Sequence, residues 1–317
     1  MNESNGLLIN PDSLQMNRVT LRHKAMFQRF FKNVKQPLAD TTFTMRHIWA
    51  QPLKHTWTII NNNLCVFGFL KDKFVLWGPP VGGSKPTETI MLCFELLDKF
   101  NSAAGISVNP MAIYIPESMK ATFEQVADET GAVLSPWTTD YVYSTKELIE
   151  LKGEKFESQR HKVNQFLSSY NHSVEQFDFE KHASDCLKLI DLWEKCKIET
   201  VSDEFTYEVS AEANAARRVI RYSRSLRVRG IVLKIEGTTA GVSIGEPLTH
   251  EMCSNIIEKT NPAVTGASEF IFREFAKQWE TYPFLNAQDD FGVDYLKKVK
   301  LSYNPVMLIN SYSLQKK

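Results

Sequence analysis

The sequence predicts an α/β (α+β) protein of two tandem units, each a mixed, mostly antiparallel sheet flanked by helices. Three observations carry this expectation. Runs with strand spacing come in two groups of three, at 55–77 and 229–258. Each group leads into a glycine-bearing loop that opens a helix. Each group also follows segments with helical periodicity, so the order of elements repeats along the chain.

In the first unit, 1–140, Met26, Phe27, Phe30, Phe31 and Val34 predict a helix over 21–34, stopped by Pro37. Asp40-Thr41-Thr42 supplies cap chemistry for a short helix through Phe43, Ile48 and Trp49. Strands at 55–60, 64–70 and 73–77 are joined by turns at Asn61-Asn62-Asn63 and Lys71-Asp72, which makes an antiparallel meander. The loop 78–84 then opens a helix over 87–104, a strand at 111–115 and a helix over 116–130 ended by Gly131. The second unit, 141–317, begins with a connecting segment at 141–151 and a polar helix over 155–170. A strand at 173–177 and helices over 181–196 and 211–226 follow. The second meander is 229–235, 239–245 and 252–258; then come a helix from Gly266 to Trp279, a short helix, and a strand at 306–309. A meander whose third strand feeds a glycine loop and a helix is the pattern of the GNAT acyltransferase fold, so two tandem GNAT-like units are expected.

Composition narrows the function. With 43% hydrophobic and 23% charged residues the chain is globular. Lys+Arg and Asp+Glu balance at 37 each, so contact with nucleic acid or an anionic membrane must come from a local patch. The cysteines Cys65, Cys93, Cys186, Cys196 and Cys253 are scattered with no CxxC pair, which predicts reduced thiols and a cytoplasmic setting. No apolar run reaches transmembrane length. The histidines show no metal-ligand spacing, and Trp57, Trp77, Trp193 and Trp279 are expected in the core.

Chemistry concentrates at the end, in 286–305, NAQDDFGVDYLKKVKLSYNP. Asn286, Asp289, Asp290 and Gly292 form a turn ahead of a helix bearing Lys297, Lys298 and Lys300. Ser302-Tyr303-Asn304-Pro305 closes it, because proline pushes the preceding residue out of the α region. Opposite charges around one strand-to-helix junction can hold a polar ligand; equally, Asp290 or Asp294 can simply cap the helix. Glu258 ends a strand beside Lys259, where a carboxylate either binds an amino group or acts as a base, or else belongs to a surface ion pair. Arg217, Arg221 and Arg224 share a helical face near Arg218, Arg227 and Arg229. They suit RNA phosphate or lipid headgroups, or a solvated face paired with Glu204, Glu208 and Glu212. Lys152, Lys155, Arg160, His161 and Lys162 form a second basic stretch with the same two readings. The loops at 78–84 and 264–268 match a coenzyme A loop poorly, and a simple turn into a helix accounts for each.

These residues also carry a resemblance. Lys152-Gly153-x-Lys155, Arg160, Val163-Asn164-x-Phe166, Gly245-Glu246-Pro247-Leu248 and Glu258-Lys259 are followed by Gly266. Asn286-x-x-Asp289-Asp290-x-Gly292 and Lys300-x-Ser302-Tyr303-Asn304-Pro305 complete the set. Together they resemble the phosphatidylglycerol lysyltransferase C-terminal domain family in a soluble, stand-alone form, over nearly the whole chain. The resemblance implies two GNAT-like units and transfer of an amino acid from aminoacyl-tRNA to an acceptor hydroxyl, such as a phospholipid glycerol. It implies a lipid headgroup or small-molecule acceptor, peripheral membrane contact without a transmembrane segment, and no cofactor or metal. In that reading Asp289 and Asp290 hold the donor's ammonium, Glu258 assists or acts as base, and Lys300 and Tyr303 steady the oxyanion. Lys155, Arg160, Asn164, Gly266, Asn286, Arg217, Arg221 and Arg224 are the expected substrate-binding residues. Gln288 stands where relatives often have Glu, and Lys297 where they often have Arg, which bears on the amino acid recognised. Two other functions fit the same chain: acyl-CoA-dependent N-acyl transfer, and a non-catalytic module that binds an amino acid or charged tRNA.

Overall fold

The first meander forms where expected, and its turns explain why. Asn61 and Asn62 take φ of 49° and 60°, the left-handed region that asparagine tolerates, and so reverse the chain between two strands. The structure, a computed structural model, describes residues 16–32, 34 and 38–316; the expected helix stop at Pro37 lies outside them. The chain divides into two compact units, one up to Thr138 together with the segment from Asn310 onward, the other Thr139–Ile309. A division into 1–140 and 141–317 does not allow for that return of the C-terminal segment to the first unit.

The first unit contains β1 (Asn17–Arg18), α1 (Lys24–Phe31), α2 (Phe43–Ile48), β2 (Thr56–Ile60), β3 (Asn63–Leu70) and β4 (Lys73–Trp77). It continues with α3 (Pro86–Ala103), β5 (Met111–Pro116), α4 (Lys120–Thr130) and the start of β6 (Val133–Ser144). The strand closing the chain, Met307–Gln315, pairs antiparallel with β5 from Ser311 onward. Helix α1 is shorter than the periodicity implied, because residues 21–23 form a 3-10 turn and the helix stops at Phe31. Thr42 caps α2, its hydroxyl accepting from Met45 N at 3.1 Å. β4 and β5 run parallel, with α3 as the crossover.

The second unit takes the end of β6, then α5 (Thr145–Glu150), α6 (Glu157–Ser169), β7 (His172–Gln176), α7 (Phe179–Ile198), α8 (Thr206–Arg221) and α9 (Ser223–Leu226). It closes with β8 (Arg229–Ile235), β9 (Thr238–Pro247), β10 (Met252–Thr260), α10 (Ala267–Gln278), β11 (Phe284–Asn286) and α11 (Asp294–Ser302); the final strand is β12. Its strand order is β6-β11-β10-β9-β8-β7, with β10 and β11 parallel and the other neighbours antiparallel. The third meander strand therefore lies parallel to the strand after the crossover helix in both units, which is the architectural repeat read from the sequence.

Residues 141–151, expected as a connection, are instead the end of β6 and α5. Tyr141, Val142 and Tyr143, all at most 2% exposed, read as a run covered on both faces of the sheet rather than as a connection. The helix expected over 211–226 is two helices, α8 and α9, separated at Tyr222. The core of this unit packs α5, α6 and α10 onto the sheet through Leu148, Phe166, Ile231, Phe270, Phe275 and Trp279. In β10 the register shifts between Asn255 and Ile257. A bulge of this kind bends the strand and disrupts the ladder locally. It falls between β9 and the parallel neighbour β11, and the charged residues gather beside it.

Candidate active site

Successive strand residues face opposite sides of a sheet, and Glu258 and Lys259 of β10 separate on that rule. Glu258 Oε1 accepts from Ser268 Oγ at 2.8 Å, in the first turn of α10. Lys259 points the other way, donating to Glu212 of α8 and lying 3.9 Å from the ring centre of Trp193 on α7. The surface Glu–Lys pair is therefore not formed. The second carboxyl oxygen of Glu258 is buried and has no hydrogen-bond partner among the described residues. Burial pushes this carboxyl up to about 7, against the pull of the Ser268 bond and the charges of Lys259 and Lys300, with Glu269 adding to the rise. A carboxyl in that range exchanges a proton near neutral pH, as a general base or acid must.

Lys300 comes to the same place from α11. Its ammonium donates to the carbonyls of Ala287 at 2.5 Å and Gln288 at 3.3 Å. Burial lowers its proton affinity, while the carboxyls of Asp289, Asp140, Asp290 and Glu258 raise it. Several carboxyls thus act on one ammonium. Asp290 accepts from Tyr141 Oη at 2.5 Å and from Gly292 N at 2.9 Å. Burial, then the bond to Asp290, holds the Tyr141 hydroxyl protonated. The cap of α11 is Val293, with no side-chain cap bond, so neither Asp290 nor Asp294, the first helical residue, caps that helix.

The acidic loop is tied down by amides. Asn286 Nδ2 donates to Asp140 at 2.9 Å, and its Oδ1 accepts from Gln288 N at 2.7 Å. Gln288 Nε2 donates to the carbonyls of Ile256 at 2.7 Å and Asn255 at 2.5 Å, inside the β10 bulge. A glutamate there would set carboxylate oxygens against two carbonyl oxygens. The amide at 288 is thus a loop anchor in this chain, rather than a missing acidic ligand. Tyr303 packs edge-on against Tyr143 and Phe272, with ring centres 6.1 and 5.2 Å away. Burial, then Glu269 and Glu258, holds its hydroxyl protonated and so a donor.

Glu258, Asp289, Asp290, Lys300, Tyr303 and Asn286 are therefore gathered in the second unit. Gly266 borders them at the start of α10, yet its φ of +76° and the Lys162 carbonyl, 2.5 Å from where a Cβ would sit, give it a packing role. Lys155 pairs with Glu147 at 2.8 Å. Arg160 donates to the Leu151 and Gly153 carbonyls. With exposed Asn164 it lines an open depression of about 480 Å³ on α6. The arginine face does not reach the cluster. Arg217 is paired with Asp191 and Glu194 of α7, and Arg224 with Glu180 at 2.5 Å, while Arg221 is exposed. These helices cover the Lys259 side of the sheet. The carboxylates that meet Arg217 and Arg224 are thus on α7, and Glu212 takes Lys259; the Glu204 side chain lies outside the described residues. Asp140, Tyr141, Ser268 and the anchoring role of Gln288 were not read from the sequence. The β-branched and aromatic run Thr138-Thr139-Asp140-Tyr141-Val142-Tyr143 was the available signal for the first two.

Among the described residues, no helix is long and apolar enough to cross a membrane. The chain is similar to a conserved protein of unknown function from Bacteroides thetaiotaomicron, 23% identical, TM-score 0.81, covering 96% of this chain and 100% of that one. It is similar to the L-PGS of Bacillus licheniformis at 13% identity, TM-score 0.63, over 95% of this chain and 93% of that one. A tandem GNAT protein from the clavulanic acid biosynthesis pathway shares the fold at 7% identity, TM-score 0.50, over 96% and 99% of the two chains. The fold is thus tandem GNAT-like, and a family described as phosphatidylglycerol lysyltransferase, C-terminal, matches residues 31–315. Fold, motif and extent agree, and the chain belongs to that family.

Proposed function

We propose that this protein transfers an amino acid from aminoacyl-tRNA to a hydroxyl acceptor at the cluster around Glu258. The observation that carries the reading is the Glu258 carboxyl, pushed up to about 7, in the electrostatic neighbourhood of Lys300. The Glu258 carboxylate takes the proton of the acceptor hydroxyl as its oxygen attacks the aminoacyl ester carbonyl. The tetrahedral oxyanion is met by the Lys300 ammonium, which has a third N–H beyond its two carbonyl bonds, and by the Tyr303 hydroxyl. Collapse breaks the ester C–O bond, and the ribose oxygen leaves with the proton from Glu258. Asp289 and Asp290 balance the donor's ammonium. The donor is already an activated ester, so positioning and charge stabilisation suffice without a covalent enzyme intermediate. An aminoacyl-tRNA donor places the reaction in the cytoplasm.

The test is label transfer from a mixed pool of radiolabelled aminoacyl-tRNAs into lipid and cytosolic extracts, with Asp290→Ala as control. Label moving to an extract component only with the intact protein supports the reading and names the acceptor. No transfer with retained binding of charged tRNA would replace it with a sensing module. No transfer and no binding would replace it with acyl-CoA chemistry.

A further inference from the structure

Lys259 is only 6% exposed, lies on the face of the sheet away from the charged cluster, and has no part in the proposed transfer step. Lysine is rarely buried unless it is paired. Here the ammonium donates to Glu212 of α8 and lies 3.9 Å from the ring centre of Trp193 on α7. A buried ion pair adds little net stability over apolar side chains of the same size. What distinguishes this pair is its place, because Lys259 follows Glu258 directly on β10. Their cross-strand partners on β9, Val242 and Ser243, are fully buried. Protein rather than solvent therefore separates the two side chains, and a charge on one face of the sheet is felt on the other. The pair reaches water mainly at its far end, where Glu212 is 35% exposed.

We infer that Lys259 is a positioning residue for Glu258: clamped by Glu212 and Trp193, it fixes the end of β10 and sets a positive charge behind the carboxylate. It is not a catalytic residue, since it faces away from the reacting groups. Burial raises the Glu258 carboxyl; the Ser268 hydrogen bond and then the Lys259 charge oppose that rise, and Lys300 acts the same way from the other side. The further titratable groups that bear on Glu258 are Glu269 on α10 and Tyr303 just past α11. Without Lys259 the carboxyl would keep its proton to higher pH, and less of it would be a base at neutrality. α8 thus enters the chemistry of the site through Glu212, although its arginines do not reach the cluster. The inference rests on the transfer reading only in taking Glu258 as the base.

The experiment titrates Glu258 directly, by carbon-13 NMR of the full chain labelled at its glutamate carboxyls, without any donor. The resonance is identified by its loss in Glu258→Gln. Lys259→Met removes the charge but keeps the bulk, and is expected to raise the midpoint by roughly half to one pH unit. Glu212→Gln leaves the Lys259 charge without its counter-charge and is expected to lower the midpoint. Lys259→Arg keeps both the charge and the stacking on Trp193 and is expected to titrate close to the intact protein. Shifts of opposite sign in the two single variants are the signature, because a merely structural role would move both alike. The ascending limb of the transfer pH profile is expected to follow each midpoint. Lys259→Met/Glu212→Gln replaces the pair by neutral side chains of similar size, and carries the test if Lys259→Met alone fails to fold; its midpoint is still expected to rise. A midpoint unmoved in Lys259→Met or in the double variant overturns the inference. So do shifts of the same sign in the two single variants, or a midpoint in Lys259→Arg that moves as far as in Lys259→Met. The expected titrations with no transfer by the intact protein leave Lys259 acting on Glu258 and remove the transfer reading alone.

Discussion

The Ser268 hydroxyl donates to Glu258 at 2.8 Å and so ties the first turn of α10 to the end of β10. That bond stabilises the ionised carboxylate and holds the Glu258 carboxyl lower than burial alone would set it. Ser268→Ala removes the bond, and the Glu258 carboxyl rises further. Transfer that needs the carboxylate then begins at higher pH. The ascending limb of the pH–rate profile, near 7 in the intact protein, is expected to move up by roughly half to one pH unit. An unmoved limb would remove Glu258 as the titrating base.

Glu258→Gln separates function from stability. Its folded carboxyl sits near 7, above the ordinary 4.5, so the native state holds a proton that the unfolded chain has released. Stability of the intact protein therefore falls as pH rises from about 4.5 through about 7, then levels off. The glutamine variant lacks this loss. It is expected to be more stable than the intact protein above neutral pH, by on the order of 2–3 kcal/mol, with the difference vanishing in acid. Its transfer rate is expected to drop about 100-fold or more. Thermal melts across pH and a transfer assay check the two halves independently.

Gln288 anchors the acidic loop by donating to Asn255 and Ile256 carbonyls. Gln288→Glu replaces the donor with an acceptor facing two acceptors, and is expected to cost about 1–3 kcal/mol in urea unfolding at neutral pH. A protonated glutamic acid can donate one bond, so acid should recover part of the loss. A penalty independent of pH would contradict the assignment.

Gly266 begins α10 at φ +76°, with the Lys162 carbonyl where a side chain would go. Gly266→Ala meets backbone, which cannot swing aside, and also adds left-handed strain. A loss of about 2 kcal/mol or more is expected, read as a lower urea midpoint. Gly292, at φ +71° with open space around it, should tolerate alanine with only the smaller conformational penalty of about 1 kcal/mol.

The periodicities and turn residues by themselves determined the two meanders, the helices that follow them and the repeated order, because those signals act within a few residues. The acidic turn before α11 was legible in the same way, and Glu258, Lys300 and Tyr303, singled out from the sequence, lie close enough to act on one another electrostatically. Only the tertiary structure decided which of two neighbours, Glu258 or Lys259, faces the acidic loop: alternation along a strand says they part, and the packing of α10 on one face of the sheet and of α7 and α8 on the other says which goes where. Likewise Asp140 and Tyr141 join a loop nearly half the chain away because β6 pairs with β11, in register from Ser144↔Phe284 to Val142↔Asn286. The arginine face shows the limit from the other side. Its spacing on α8 is helical, yet Asp191 and Glu194 on α7 meet Arg217. Local pattern sets what an element is, and the pairing of distant strands and helices sets which of its faces meets which charge.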